Sequence, residues 1–68
     1  MNDAMLRAKM VLHGDSSADL AEYLGISRQT MSLKLNETNG AEFTQQEIRK
    51  IIERYDLTDT ETCEIFFA

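Results

Sequence analysis

Apolar residues in this chain fall into short clusters at helical spacing, and polar Ser/Thr-led steps or single glycines separate one cluster from the next. The clearest cluster is Ile48, Ile51, Ile52 and Tyr55, at i, i+3, i+4 and i+7, the spacing of one buried helix face. Its start is marked three ways: Thr44 suits the N-cap, Glu47 stands three residues on, and Phe43 and Ile48 can close as an apolar staple. Residues 57–61, Leu-Thr-Asp-Thr-Glu, repeat the capping pattern and predict a short last helix, after which the chain ends on Ile65, Phe66 and Phe67.

The same logic runs through the N-terminal half. Residues 2–13 are good helix formers and stop at Gly14, the residue best suited to a left-handed helix end. That helix carries two apolar stripes, Leu6 with Met10 on one side and Met1, Met5, Ala8 and Leu12 nearly opposite; Leu6 and Met10 are expected in the core. Ser16 caps a second helix over 17–24, with Asp19 at the capping-box position. Gly25, Ile26 and Ser27 then break the chain, return one apolar side chain to the core and supply the next N-cap, so a third helix runs over 28–36. Residues 36–42 read as a polar loop. The expected architecture is all-α: one compact bundle of about five short helices, a single domain over 1–68, with Leu20, Ala21, Leu24, Ile26, Met31 and Leu35 interlocking around the turn.

Length and composition narrow the function classes. Sixty-eight residues without Pro or Trp leave room for one small core and a thin stability margin. The lone Cys63 can close no disulfide within the chain and reads as a packed thiol, and His13 has no second ligand at useful spacing and reads as a surface residue. No metal, cofactor or small-molecule substrate is expected, nor an enzyme, since the carboxylates stand in no catalytic spacing. The amphipathic, charged N-terminus lacks the apolar stretch of a signal peptide or membrane span, which makes the cytoplasm the expected compartment.

The outer face of the third helix carries the most specific chemistry. With Met31 and Leu35 turned inward, a turn of about 100° per residue puts Gln29, Ser32, Leu33 and Asn36 on the opposite side. Gln and Asn can pair with adenine, Ser is adaptable, and an exposed Leu can pack on a thymine methyl, which suits a major groove. Arg28, at the helix start, can reach a guanine or a phosphate. Ser16, Ser17, Ser27, Thr30, Lys34 and Asn39 are the candidates for backbone phosphates, together with the amides at the helix starts. The bland alternative for this stripe is an ordinary solvated helix face. The net charge of −5 opposes nucleic-acid binding, but the last thirteen residues hold four acids and no base, whereas residues 24–41 hold Arg28 and Lys34 against Glu37 alone.

The segment LAEYLGISRQTMSLKLN resembles the helix-turn-helix core of the Cro/C1-type (XRE) phage-repressor family, whose members often read LAxxLGISxxTxSxxLN. LRAKMVLHG before it and FTQQEIRKIIERYDLTDTETCEIFFA after it are similar to small Cro-like regulators of Gram-positive prophages, including the terminal IFF. The resemblance covers nearly the whole chain. It implies a five-helix, lambda-repressor-like domain that binds operator DNA, usually as a dimer, with Ser27, Arg28, Gln29, Ser32, Leu33 and Asn36 at the groove and Lys34 and the following loop on the backbone. Ser17 departs from the family, which commonly has a Gln there to buttress the recognition helix and touch phosphate.

Two functions are therefore expected as alternatives: a DNA-binding transcriptional repressor, or an antirepressor-like module that uses the same scaffold to engage a protein. The acidic C-terminal segment motivates the second. Ile65, Phe66 and Phe67 either fold back on Leu57 and the fourth helix or form a contact between two copies.

Overall fold

In the computed structural model, residues 1–67 are described. They form five α-helices and no strand: α1 (Asp3–Leu12), α2 (Ser17–Leu24), α3 (Arg28–Leu35), α4 (Gln45–Tyr55) and α5 (Asp59–Phe66), with a short 3-10 turn (Thr38–Gly40) between α3 and α4. The Cα radius of gyration is 10.8 Å, close to the roughly 11 Å expected of a folded chain this long. No helix among the described residues is long and apolar enough to cross a membrane.

Local chemistry sets most of the helix boundaries. The side chains of Asn2, Ser16, Ser27, Thr44 and Thr58 each accept a hydrogen bond from an amide in the first turn of the helix that follows. Three of these starts are reciprocal capping boxes, in which Asp19, Glu47 and Glu61 accept from the backbone amides of Ser16, Thr44 and Thr58. At the other ends, Gly14 and Gly25 take left-handed φ values of 73° and 76°. There the amides of Asp15 and Ile26 reach back to the carbonyls of Met10 and Ala21, closing the same 6→1 turn after α1 and α2. Asp56 does this after α4 without being glycine, at φ 49°, with the Leu57 amide on the Ile52 carbonyl.

The core comprises Leu6 and Met10 of α1, Leu20, Ala21 and Leu24 of α2, Met31 and Leu35 of α3, Phe43, Ile51 and Tyr55 of the α4 region, then Leu57 and Ile65. The stripe of Leu6 and Met10 is thus the buried one; on the opposite side Ala8, Val11 and Leu12 face solvent while Met1 and Met5 pack at the margin. Ile26 also packs at the margin. On α4 the buried line is Glu47, Ile51 and Tyr55, with Ile48 and Ile52 only partly covered, because the core meets this helix along an i, i+4, i+8 line rather than the broader expected face.

Cys63 is exposed, not packed. It lies two residues, about 200° of helix, from the fully buried Ile65, so the turn that seats Ile65 places the thiol outside. The C-terminal apolar residues divide: Ile65 is in the core, Phe66 meets the Phe43 ring edge-on with centroids 6.2 Å apart, and Phe67 is 70% exposed. The Ile65 carbonyl accepts from the Asn2 amide at 2.7 Å, joining α5 to the start of α1.

A polar clamp joins the α1–α2 turn to the end of α4. Asp15, in the turn between α1 and α2, receives Nε and Nη2 of Arg54 at 2.6 and 2.8 Å and the Tyr55 hydroxyl at 2.7 Å. The same guanidinium lies 4.6 Å over the Tyr23 ring of α2, and the exposed His13 ring tilts against Tyr55 at 5.0 Å. The Arg54 hydrogen bond, joined by that of Tyr55 and by nearby positive charge, outweighs desolvation and holds the Asp15 carboxyl at about 2, against an ordinary 3.8.

Because that pKa is lowered in the folded state, the Asp15 contribution is complete above about pH 4 and is lost as the pH falls towards about 2. Asp15→Asn is expected to lower unfolding free energy by about 1 to 2 kcal/mol, the worth of charge-assisted hydrogen bonds to an Arg54 side chain that is itself 30% exposed. Urea titrations between pH 2 and 7 check this, and the variant should also lose part of the acid-induced decline; an unchanged acid limb would remove Asp15 from the account.

Candidate nucleic-acid interface

The α2–turn–α3 unit positions the candidate face. Leu20, Ala21 and Leu24 of α2 and Met31 and Leu35 of α3 are buried together, and the small Ala21 lets the two short helices cross closely. Gly25 supplies the left-handed residue at the corner, and Ser27 restarts the chain: its hydroxyl accepts from the Thr30 amide at 3.1 Å and lies 2.9 Å from the Thr30 hydroxyl. Burying Met31 and Leu35 obliges the other side of α3 to face solvent. Gln29, Ser32, Leu33 and Asn36 are all exposed there, with Leu33 at 38%.

The charges on this unit are arranged unequally. Arg28 is exposed at the start of α3 and takes part in no ion pair among the described residues. Lys34, expected on a phosphate, is instead turned into the bundle, where its ammonium donates to Glu47 and is largely covered. Burial pushes the Glu47 carboxyl up, but the Lys34 hydrogen bond and the Thr44 amide outweigh it and hold the group below its ordinary value. Glu47 therefore serves two elements at once, capping α4 and anchoring α3. The signal for its capping role was in the sequence; nothing at the spacing of 34 and 47 announced the ion pair.

The phosphate candidates separate in the same way. Ser17 is exposed at the first position of α2, and Asn39 is exposed in the loop at a left-handed φ of 55°. The hydroxyls of Ser16 and Ser27 are engaged in caps and Thr30 is half-buried against Ser27, so at these positions an anion is offered mainly the exposed starts of α2 and α3. The loop between α3 and α4 adds no cation: Glu37 pairs with the N-terminal amine at 3.2 Å, and Glu42 is exposed.

One residue of this face is not evident from the α2–α3 sequence. Arg7 of α1 donates through Nη2 to Oδ1 of Asn36 at 3.1 Å, and through Nε to Asp3 at 3.3 Å. Asn36 in turn donates from Nδ2 towards Ser32 Oγ at 3.4 Å. A guanidinium thus stands at the C-terminal end of α3. The Asp3–Arg7 pair is local to α1, and its place beside Asn36 is set by the fold.

The turn has a defined energetic signature. A Cβ added at Gly25 meets nothing within 4 Å, so Gly25→Ala should cost only the left-handed backbone strain, about 1 to 2 kcal/mol, without displacing α3. Urea denaturation measures the loss, and amide NMR shifts of residues 28–36 should stay near those of the parent; wholesale shifts would mean the turn cannot accept a side chain.

The chain matches no protein-family model, no curated protein and no solved structure. What the face does is therefore inferred from its own geometry and chemistry.

Proposed function

We propose that this protein is a sequence-specific DNA-binding regulator of the Cro/C1 type, a prophage-like repressor whose α3 enters the major groove of an operator. The observation that carries this reading is the composition of α3: its solvent side offers Gln29, Ser32, Leu33 and Asn36 beside the unpaired Arg28, and the helix contains no acid. Amide and hydroxyl groups read base edges, the exposed Leu suits a thymine methyl, and Arg28 suits a guanine or phosphate. Ser17, Asn39 and the amides at the starts of α2 and α3 are assigned to the backbone, where they set register without reading sequence. Lys34 supports α3 from behind rather than meeting phosphate.

The net charge of −5 is compatible with an anionic partner because of where the acids stand. Five of the twelve, Asp3, Asp19, Glu47, Asp59 and Glu61, lie in the first turns of helices, where they stabilise the positive helix end. In this reading two copies bind a two-fold-symmetric site, their α3 helices about 34 Å apart, and occupancy excludes polymerase. Phe67, exposed beside a cleft of about 310 Å³ that Met1, Ile48 and Phe66 help to line, is the part of the C-terminal segment assigned to contact between copies. The cytoplasm is the compartment this function requires.

A second reading, a protein-binding antirepressor module, is favoured by the apolar exposure of Val11 and Leu12 on α1 together with Leu33. Salt separates the two. DNA binding by phosphate neutralisation weakens steeply as salt rises, whereas an apolar protein contact holds or tightens.

Changing Gln29 and Ser32 together to Ala should remove discrimination between operator and unrelated duplex, at about 1 to 3 kcal/mol for each base that is no longer read, while the helical circular-dichroism signal stays intact. Competition binding against scrambled duplex measures it. Site preference that survives the double change would assign reading to another surface.

A further inference from the structure

Arg7 lies outside the α2–α3 unit and 29 residues from its partner Asn36, yet its guanidinium completes the C-terminal end of the α3 face. Its side chain is 44% exposed. Of the five N–H donors of a guanidinium, one meets Asp3 and one meets Asn36; the remaining three have no protein partner among the described residues.

Three features give that position meaning. The C-terminal end of a helix is partially negative and repels phosphate unless a cation stands there. Lys34, the cation that α3 itself carries in its last turn, is committed to Glu47. Arg28 and Asn36 are separated by about 12 Å of helix rise, comparable with the width of a major groove, so Arg28 and Arg7 stand at opposite ends of the face.

Arg7 also decides what Asn36 can present. With Oδ1 accepting from Arg7 and Nδ2 donating towards Ser32, the amide is held in one orientation, with one Oδ1 lone pair and one Nδ2 hydrogen left for a ligand. A base edge is read by the direction of donor and acceptor together, so an amide that cannot flip discriminates more sharply than a freely rotating one.

We propose that Arg7 of α1 is a specificity-determining part of the nucleic-acid surface: it takes a backbone phosphate at the C-terminal end of α3 and, by holding Asn36 Oδ1, fixes the orientation in which Asn36 presents its remaining donor and acceptor to a base edge. This rests on the DNA-binding reading above. The test compares the parent protein, Arg7→Met and Arg7→Lys on a selected duplex and on versions of it varied at each base pair, at about 50 and about 200 mM salt. The expected result for Arg7→Met is a loss of about tenfold in affinity at low salt, a salt dependence shallower by about one phosphate, and a relaxed preference at one outer base pair. Arg7→Lys should restore the salt dependence. Parent-like affinity, salt dependence and base preference in Arg7→Met, on a duplex that the parent binds, would overturn the role of Arg7 and leave the DNA reading standing. If the parent binds no duplex at either salt, the DNA reading fails first and the role of Arg7 falls with it.

Discussion

The carboxylate of Asp15 is the point on which the arrangement of these short helices depends. A core of twelve side chains cannot by itself hold five helices in one geometry with much to spare, for a chain this long is stable by only about 3 to 10 kcal/mol. Asp15 supplies directional contacts where that core ends: one carboxylate receives both the guanidinium of Arg54 and the hydroxyl of Tyr55, and Arg54 covers the ring of Tyr23. The α1–α2 turn, α2 and α4 are thereby tied at one place. α3 packs on α2 and is anchored to α4 through Lys34 and Glu47, so it rests on the same two helices that the clamp ties.

Charge placement follows from the same economy of elements. Helices of eight to eleven residues have a large share of their amides in unsatisfied first turns, so acids at those positions stabilise them more than they would elsewhere. Asp19, Glu47 and Glu61 each close a capping box, and the latter two also receive a lysine from another helix, Glu47 from Lys34 and Glu61 from Lys9. An acidic chain can in this way keep one helix free of acids. The bulk charge is a poor guide to any one face, and α3 is where the difference shows.

Much of the architecture was legible in the sequence because caps are local. Ser16, Ser27, Thr44 and Thr58 mark helix starts through bonds that span three residues, and Gly14 and Gly25 mark ends through backbone geometry that only a few residues adopt. The outward stripe of α3 followed once Met31 and Leu35 were assigned inside. What the pattern did not contain were pairings between helices: Lys34 with Glu47, Arg7 with Asn36, and Asp15 with Arg54, 13 to 39 residues apart. Lys34 looked like a surface cation because hydropathy assigns every lysine outside, whereas a partly buried carboxylate drew it in. Cys63 and the half-covered Ile48 and Ile52 were misjudged for a related reason, since a short helix touches the core along one line and periodicity alone does not fix which line.

The central claim is that the acid-free face of α3 meets a duplex. The measurement that tests it most directly is selection from a pool of random duplexes with the purified protein at low and at physiological salt. The account predicts enrichment of one short, two-fold-symmetric sequence, with affinity falling steeply as salt rises. No enrichment at either salt would contradict it, and would direct attention to a protein partner for Leu33 and the exposed apolar side of α1.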